Sequence, residues 1–236
     1  MQVSASFVTS AADAEGFPRD RLPEVAFVGR SNVGKSSLIN ALARRTLART
    51  SAAPGKTRLA NFYRVQRGSA PPLYLVDLPG YGYARGAHRQ ARGGLSASKA
   101  GGAAAGEFLQ LTEAYFARQE TPIATILLVD SRHPGLESDM EAWAWLKEQK
   151  RPCGIVGTKV DKLTRAERAR NTRQLESLFD VPVLLVSVQD GDGLEQLWKL
   201  IAKLPNPTAA PEPPPLPPPH RRLLRPPPPR RSRSRP

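Results

Sequence analysis

Apolar residues fall into short runs along this chain, and the segments between the runs carry apolar positions at helical spacing. Glu24 to Val28, Ala60 to Arg67, Leu73 to Asp77, Pro122 to Asp130, Gly154 to Thr158 and Val181 to Val186 read as strands. Ile123, Ile126, Leu127, Leu128 and Val129 show no polar alternation, as expected of a central strand covered on both faces. Lys35 to Arg45, Gly106 to Arg118, Ser138 to Lys150, Arg165 to Phe179 and Leu194 to Leu204 read as helices, with Ser138 the expected N-cap of its helix. Alternation of this kind predicts a three-layer α/β fold, a mostly parallel sheet with helices on both faces. The short polar link between 60–67 and 73–77 predicts one antiparallel edge strand. No internal repeat is visible.

Two stretches break the pattern. Tyr81 to Gly106 is rich in glycine, alanine and basic residues and has no sustained period, and a loop of that length inside a domain is usually functional or disordered. Past Leu204 the chain becomes proline and arginine, from Pro213-Pro214-Pro215 to Arg230-Arg231-Ser232-Arg233-Ser234-Arg235. Repeated proline removes amide donors and fixes φ, so neither helix nor sheet is expected. The expected organisation is a folded domain over 1–204 and a disordered basic tail over 205–236.

Charge adds a partner class to this outline. The formal net charge is +14. Pro205 to Pro236 holds seven arginines against the single acid Glu212, so six of those charges sit in the tail. Such a surplus favours a polyanion, because neutralised phosphates release counterions. One cysteine, Cys153, excludes a disulfide framework and fits a reducing compartment. The start, Met1-Gln2-Val3-Ser4, lacks a basic stretch followed by an apolar one, and no run approaches the roughly 20 apolar residues of a membrane helix. A cytoplasmic protein without a membrane partner is expected. Cys153 reads as inert packing, and Trp143, Trp145 and Trp198 as helix faces packed on the sheet. His88, His133 and His220 have no metal-ligand spacing.

The chemistry begins after the first apolar strand. Gly29-Arg30-Ser31-Asn32-Val33-Gly34-Lys35-Ser36, followed by Ser37, matches G-x-x-x-x-G-K-[ST] between a strand and a helix. Glycines let backbone amides turn around phosphate oxygens, and the helix N-terminus adds a favourable dipole. Lys35 is expected at the β- and γ-phosphates and Ser36 on Mg²⁺. Asp77-Leu78-Pro79-Gly80 closes another strand: Asp77 would hold the Mg²⁺ through water, and the Gly80 amide would sense the γ-phosphate. Thr158-Lys159-Val160-Asp161 closes a third. A carboxylate there accepts both N1–H and the N2 amino group of guanine, whereas adenine leaves it unpaired. The Lys159 stem can lie along the base. Val186-Ser187-Val188-Gln189 is placed for backbone amides to meet guanine O6. Each of the last three pieces is weak alone, but their order, always after a strand, favours GTP over ATP. Between loop and Asp77, Pro54-Gly55-Lys56-Thr57 lies in a segment from Leu47 to Leu59 expected to be flexible, and Thr57 is the candidate to close over the γ-phosphate and Mg²⁺. The plain alternative is a Pro-Gly surface turn.

The block from Leu22 to Leu42 closely resembles the EngB (YihA/YsxC) GTPases, within the TrmE-Era-EngA-EngB-septin-like P-loop group. So do Ser51 to Thr57, Asp77 to Ala84, Asp130-Ser131-Arg132-His133 and Thr158 to Lys162. The resemblance covers about Phe7 to Leu204. It implies a Ras-like fold, with switch I near 47–59 and switch II near 78–106. It also implies maturation of the large ribosomal subunit through GTP-dependent binding to assembling particles, and through it normal cell division. Tyr81 stands where many GTPases place a water-orienting glutamine, as it does in the family, so slow intrinsic hydrolysis is expected. Asn32 matches an asparagine that coordinates K⁺ in related assembly GTPases; the alternative is a polar loop residue. Thr158, in place of the commoner asparagine, is expected to loosen contact with guanine N7. Ala91 to Ala105 departs from the family, being Gly/Ala-rich where relatives tend to be helical and charged. Arg85, Arg89, Arg92 and Lys99 there read first as a solvated basic loop and second as an rRNA contact.

The expected activity is phosphoryl transfer from GTP to water, with Lys35, Thr57 and Gly80 carrying it and the protein acting as a monomer. The rivals are a binding module gated by GTP occupancy, and a cell-division regulator that uses the same switch without RNA.

Overall fold

The computed structural model describes residues 2–48, 59–81 and 110–204. Thr57 and its neighbours Pro54, Gly55 and Lys56, the basic loop with Arg85, Arg89, Arg92 and Lys99, and the proline–arginine tail lie outside the described residues. Seven strands form one sheet: β1 (Val3–Ala11), β2 (Glu24–Gly29), β3 (Ala60–Arg67), β4 (Leu73–Asp77), β5 (Ile123–Asp130), β6 (Cys153–Thr158) and β7 (Val183–Leu185). Their spatial order is β1-β3-β4-β2-β5-β6-β7. β4, β2, β5, β6 and β7 pair in parallel, while β3 runs antiparallel to β4 and to β1. Among the described residues five α-helices follow: α1 (Lys35–Ala43), α2 (residues 110–116), α3 (Glu137–Glu148), α4 (Arg165–Phe179) and α5 (Leu194–Lys203).

Successive residues of β2 show why three layers form. Ala26 and Val28 join Val76, Leu127 and Val129 in a core closed by Tyr115 of α2, Trp143 and Leu146 of α3 and Leu175 of α4. Val25 and Phe27 point to the other face, where Leu38, Ile39 and Leu42 of α1 and Leu197, Trp198 and Ile201 of α5 cover them. All six residues of β2 and all eight of β5 are buried, as a doubly covered strand requires. The three tryptophans are buried in these two cores.

The antiparallel edge expected of the 60–67 and 73–77 pair is present, and β1 extends it by one strand that the sequence pattern did not reveal. β1 carries small residues, with only Ala5 and Ala11 buried, and it is held by its ladder to β3, which a bulge interrupts at Val8. Ser138 is not the cap of α3. Leu136 holds that position without a side-chain bond, and Ser138 lies within the first turn, flanked by Glu137 and Asp139, whose carboxylates suit a helix N-terminus. The capping box that does form is on α4, where Thr164 and Glu167 bond reciprocally. α1 ends earlier than expected, at Ala43, because Arg44 turns into the left-handed region at φ 52°.

Candidate functional site

Because β2, β4, β5, β6 and β7 are parallel, the segments that leave their C-terminal ends converge on one edge of the sheet. The phosphate loop leaves β2, Asp77 closes β4, Asp130 closes β5, Thr158 closes β6, and Ser187 follows β7. The sequence-predicted residues within the described chain are thus brought to one edge of the sheet.

Its phosphate side is built around Lys35. The loop bends through left-handed Asn32 at φ 63° and Gly34 at φ 112°, which turns the first helical residue, Lys35, back under the loop. The Lys35 ammonium donates to the Gly29 carbonyl at 2.9 Å and to the Arg30 carbonyl at 3.1 Å, so one of its three N–H groups remains for a phosphate oxygen. Burial lowers its pKa to about 8, and Asp77 works against the shift. Ser36 Oγ donates to Asp77 Oδ2 at 2.5 Å. Asp77 is 1% exposed, and its other oxygen, Oδ1, has no partner. Burial raises the Asp77 pKa, against the pull of Lys35 and Ser36. A buried carboxylate with an orphaned oxygen beside a serine hydroxyl is a hard, oxygen-only donor set, which fits a partly hydrated Mg²⁺.

Gly80 presses on the same loop. A Cβ there would meet the Ser31 nitrogen at 2.7 Å and the Lys35 amine at 2.8 Å, so only glycine is accommodated. Next to it, Tyr81 forms a parallel bridge with Arg30, and the Ser31 N–H donates to the Tyr81 carbonyl at 3.0 Å. The Tyr81 ring is buried in the core beneath α3, with its hydroxyl donating to Asp139 Oδ1 at 2.8 Å.

The base side is more open. Lys159 is left-handed at φ 61° and its amine donates to the Asn32 carbonyl at 2.7 Å and to Asp130 Oδ2 at 3.0 Å. The Thr158 hydroxyl is 2.9 Å from the Val33 carbonyl and 3.2 Å from the Val129 carbonyl, so it ties the phosphate loop to β5 and β6. Asp161 accepts from Ser187 Oγ at 3.1 Å and pairs with Lys162 at 3.3 Å. Although desolvation works the other way, these bonds hold its carboxyl below the usual range. Ser187 Oγ also accepts from the Asp190 amide at 3.0 Å, which shapes the turn after β7. Val188 is exposed beside it.

Three comparisons bear on this site. Residues 24–159 match the family model described as 50S ribosome-binding GTPase. A probable GTP-binding protein EngB of Pelotomaculum thermopropionicum is 38% identical over 205 residues, 85% of this chain and 94% of the relative. The same protein of Chlorobaculum parvum is 46% identical over 177 residues, 74% of this chain and 82% of the relative. The chain belongs to the EngB family of GTP-binding proteins. Solved folds agree: a probable GTP-binding protein EngB aligns with TM-score 0.52 at 21% identity, over 77% of this chain and 97% of that one. Era from Aquifex aeolicus, bound to GDP.AlF4-, aligns with TM-score 0.59 at 20% identity, over 78% of this chain and 57% of that one. At such identities these two speak for the Ras-like fold alone.

Two further carboxylates bond residues of this edge. Asp130 accepts from Arg132 at 2.7 Å and from Lys159, so it anchors the lysine of the base loop. Despite desolvation, those partners hold its carboxyl well below the usual carboxylate range. Its position at a strand end, like that of Asp77, was the available signal. Asp139 is the second, and nothing local distinguishes it from any other first-turn acid. Cys153 is half-buried at the start of β6, and burial raises its thiol to about 11, in keeping with inert packing. No helix among the described residues is long and apolar enough to cross a membrane.

Proposed function

We propose that this chain is a GTP-hydrolysing switch that assists assembly of the large ribosomal subunit, and normal cell division through it. The observation that carries the reading is the convergence of the Lys35–Ser36–Asp77 cluster and the Asp161–Ser187 pair on one sheet edge. Gly29 to Ser37 wrap the phosphates. Asp161 accepts the two guanine donors, Lys159 lies along the base, and the amides of Ser187 and Val188 meet O6. Ser36, Asp77 and Thr57 are the residues that would hold Mg²⁺. When bound, the metal would supply positive charge that offsets the phosphate oxygens. A water oxygen forms the new bond to the γ-phosphorus while the bond to the β–γ bridging oxygen breaks; the water's proton ends on the released phosphate, and Lys35 stabilises the charge left on the bridging oxygen. Thr57 and Gly80 couple the γ-phosphate to the two switch segments, so GTP and GDP forms present different surfaces.

Thr158 supports guanine selection indirectly. Its hydroxyl is occupied by two backbone carbonyls, so it braces the loop and leaves the base to Asp161. The family description and the basic surplus support a ribosomal partner. The protein acts in the cytoplasm as a monomer. Hydrolysis is slow without that partner, and K⁺ held at Asn32 would speed it; equal rates in K⁺ and Na⁺ would remove the cation from the scheme.

One observation favours a second reading. The Tyr81 hydroxyl is engaged by Asp139, so the position after Gly80 offers no group to a water. The chain would then act by GTP occupancy, with turnover incidental. Single-turnover rates with and without ribosomal particles separate the two, since stimulation requires the switch. The primary test is binding to purified large subunits with a non-hydrolysable GTP analogue, with GDP and without nucleotide, across salt concentrations. Tighter binding with the analogue is expected. Binding indifferent to nucleotide would reduce the ribosome link to charge attraction.

A further inference from the structure

Tyr81 holds two elements at once. Its backbone joins the phosphate loop, through the bridge to Arg30 and the bond from the Ser31 amide. Its side chain reaches into the core and bonds Asp139, which is 2% exposed near the start of α3. Gly80, one residue earlier, lies so close to the loop that a Cβ added there would meet Ser31 and Lys35. A displacement of Gly80 away from the loop is therefore resisted at Tyr81 by both its backbone bridge and its hydroxyl bond. A buried tyrosine hydroxyl facing a buried carboxylate is otherwise an odd choice for a core, since phenylalanine and a small apolar residue would fill the space without desolvating a charge.

We infer that Asp139 is a positioning residue for the γ-phosphate response: by holding the Tyr81 hydroxyl it fixes Gly80 against the phosphate loop and ties α3 to the root of switch II. The inference rests on the proposed GTP turnover. It gives the position after Gly80 a mechanical role in place of water orientation. It also assigns α3, whose first turn carries Asp139 and whose next turn carries Trp143, as an element that follows the nucleotide state.

The test uses the full chain with GTP and magnesium. Tyr81→Phe removes only the hydroxyl, and Asp139→Ala only the acceptor. Each is expected to lower single-turnover hydrolysis about tenfold while leaving GTP affinity within about twofold, and the double variant should be no slower than either. Asp139→Asn retains an oxygen that accepts from tyrosine and should stay within about threefold of the parent rate. A second readout is tryptophan emission in a Trp198→Phe background, where the two remaining tryptophans, Trp143 and Trp145, both lie on α3. The emission change between GDP and a GTP analogue should be present in that background and shrink in Tyr81→Phe and Asp139→Ala. Parent-like rates in both variants, additive penalties, or affinity falling in step with rate would overturn the inference. A parent protein that binds no GTP or never turns it over would instead sink the proposed function and is read before any variant is compared.

Discussion

The phosphate half of the site stands at the ends of β4 and β2 and the base half at the ends of β6 and β7, with β5 between them, and their carboxylates are shifted in opposite directions. Asp77 lies under the loop with one oxygen unpartnered, and burial drives its pKa up. Asp161 sits closer to solvent, and Ser187 and Lys162 hold its carboxyl down despite some desolvation. The first group is left electrostatically incomplete and its environment improves when a cation arrives. The second is already organised and waits for hydrogen-bond donors. One half is built to gain charge, the other to read shape, and the two should respond differently to substitution.

The largest expected effect tests the base half. Asp161→Asn replaces an acceptor facing two guanine donors with an amide that matches only one of them. A mispaired donor of this kind costs about 3 kcal/mol, so GTP affinity should fall about a hundredfold by titration calorimetry. Xanthosine triphosphate, whose C2 carbonyl accepts where guanine donates, should bind the variant better than the parent. Unchanged GTP affinity would break the assignment of this half to the base. A smaller effect tests the phosphate half. Asp77→Asn keeps an acceptor for Ser36 but removes the buried charge. GTP affinity measured in magnesium should fall about tenfold, roughly 1.4 kcal/mol, while affinity measured in EDTA stays near the parent value. An equal loss in both conditions would mean that Asp77 works through Lys35 and not through a metal.

The two halves were also unequally legible in the sequence. The phosphate loop is one contiguous segment whose glycines and lysine each answer a local steric or electrostatic need, so Gly29 to Ser36 could be read directly. Asp77, Asp161 and Ser187 were recoverable only as an ordered series of strand ends, because parallel strands force those ends together. β5 and β2 were visible through unbroken apolar runs. β1 was not, since its Ala5 and Ala11 bury too little surface to mark a strand and its place comes from pairing with β3. The Tyr81–Asp139 bond spans 58 residues and follows from how α3 packs over the sheet, which no local pattern encodes. The placement of the Thr158 hydroxyl between the Val33 and Val129 carbonyls was hidden for the same reason.

A third carboxylate, this one buried, sharpens the contrast through stability and not affinity. Asp139 is raised to about 6 by burial, with Tyr81 and Arg30 pulling it down and Asp130 adding slightly to the rise. Its pKa in the unfolded chain is the ordinary 3.8. Between those values the folded protein binds more protons at this site than the unfolded one, so the stability attributable to Asp139 falls as pH rises and levels off above the folded pKa. Asparagine at 139 does not titrate. The stability of Asp139→Asn relative to the parent should therefore increase by about 1 to 2 kcal/mol between pH 5 and pH 7.5 in urea unfolding without nucleotide. Asp130, whose carboxyl is held low, pulls the total pH profile the other way, but it is present in both proteins and cancels in the difference. A difference that stays flat with pH would mean that the carboxylate is solvated in the folded state. Tyr81 would then have no buried partner, and the root of switch II would be as open as the base half.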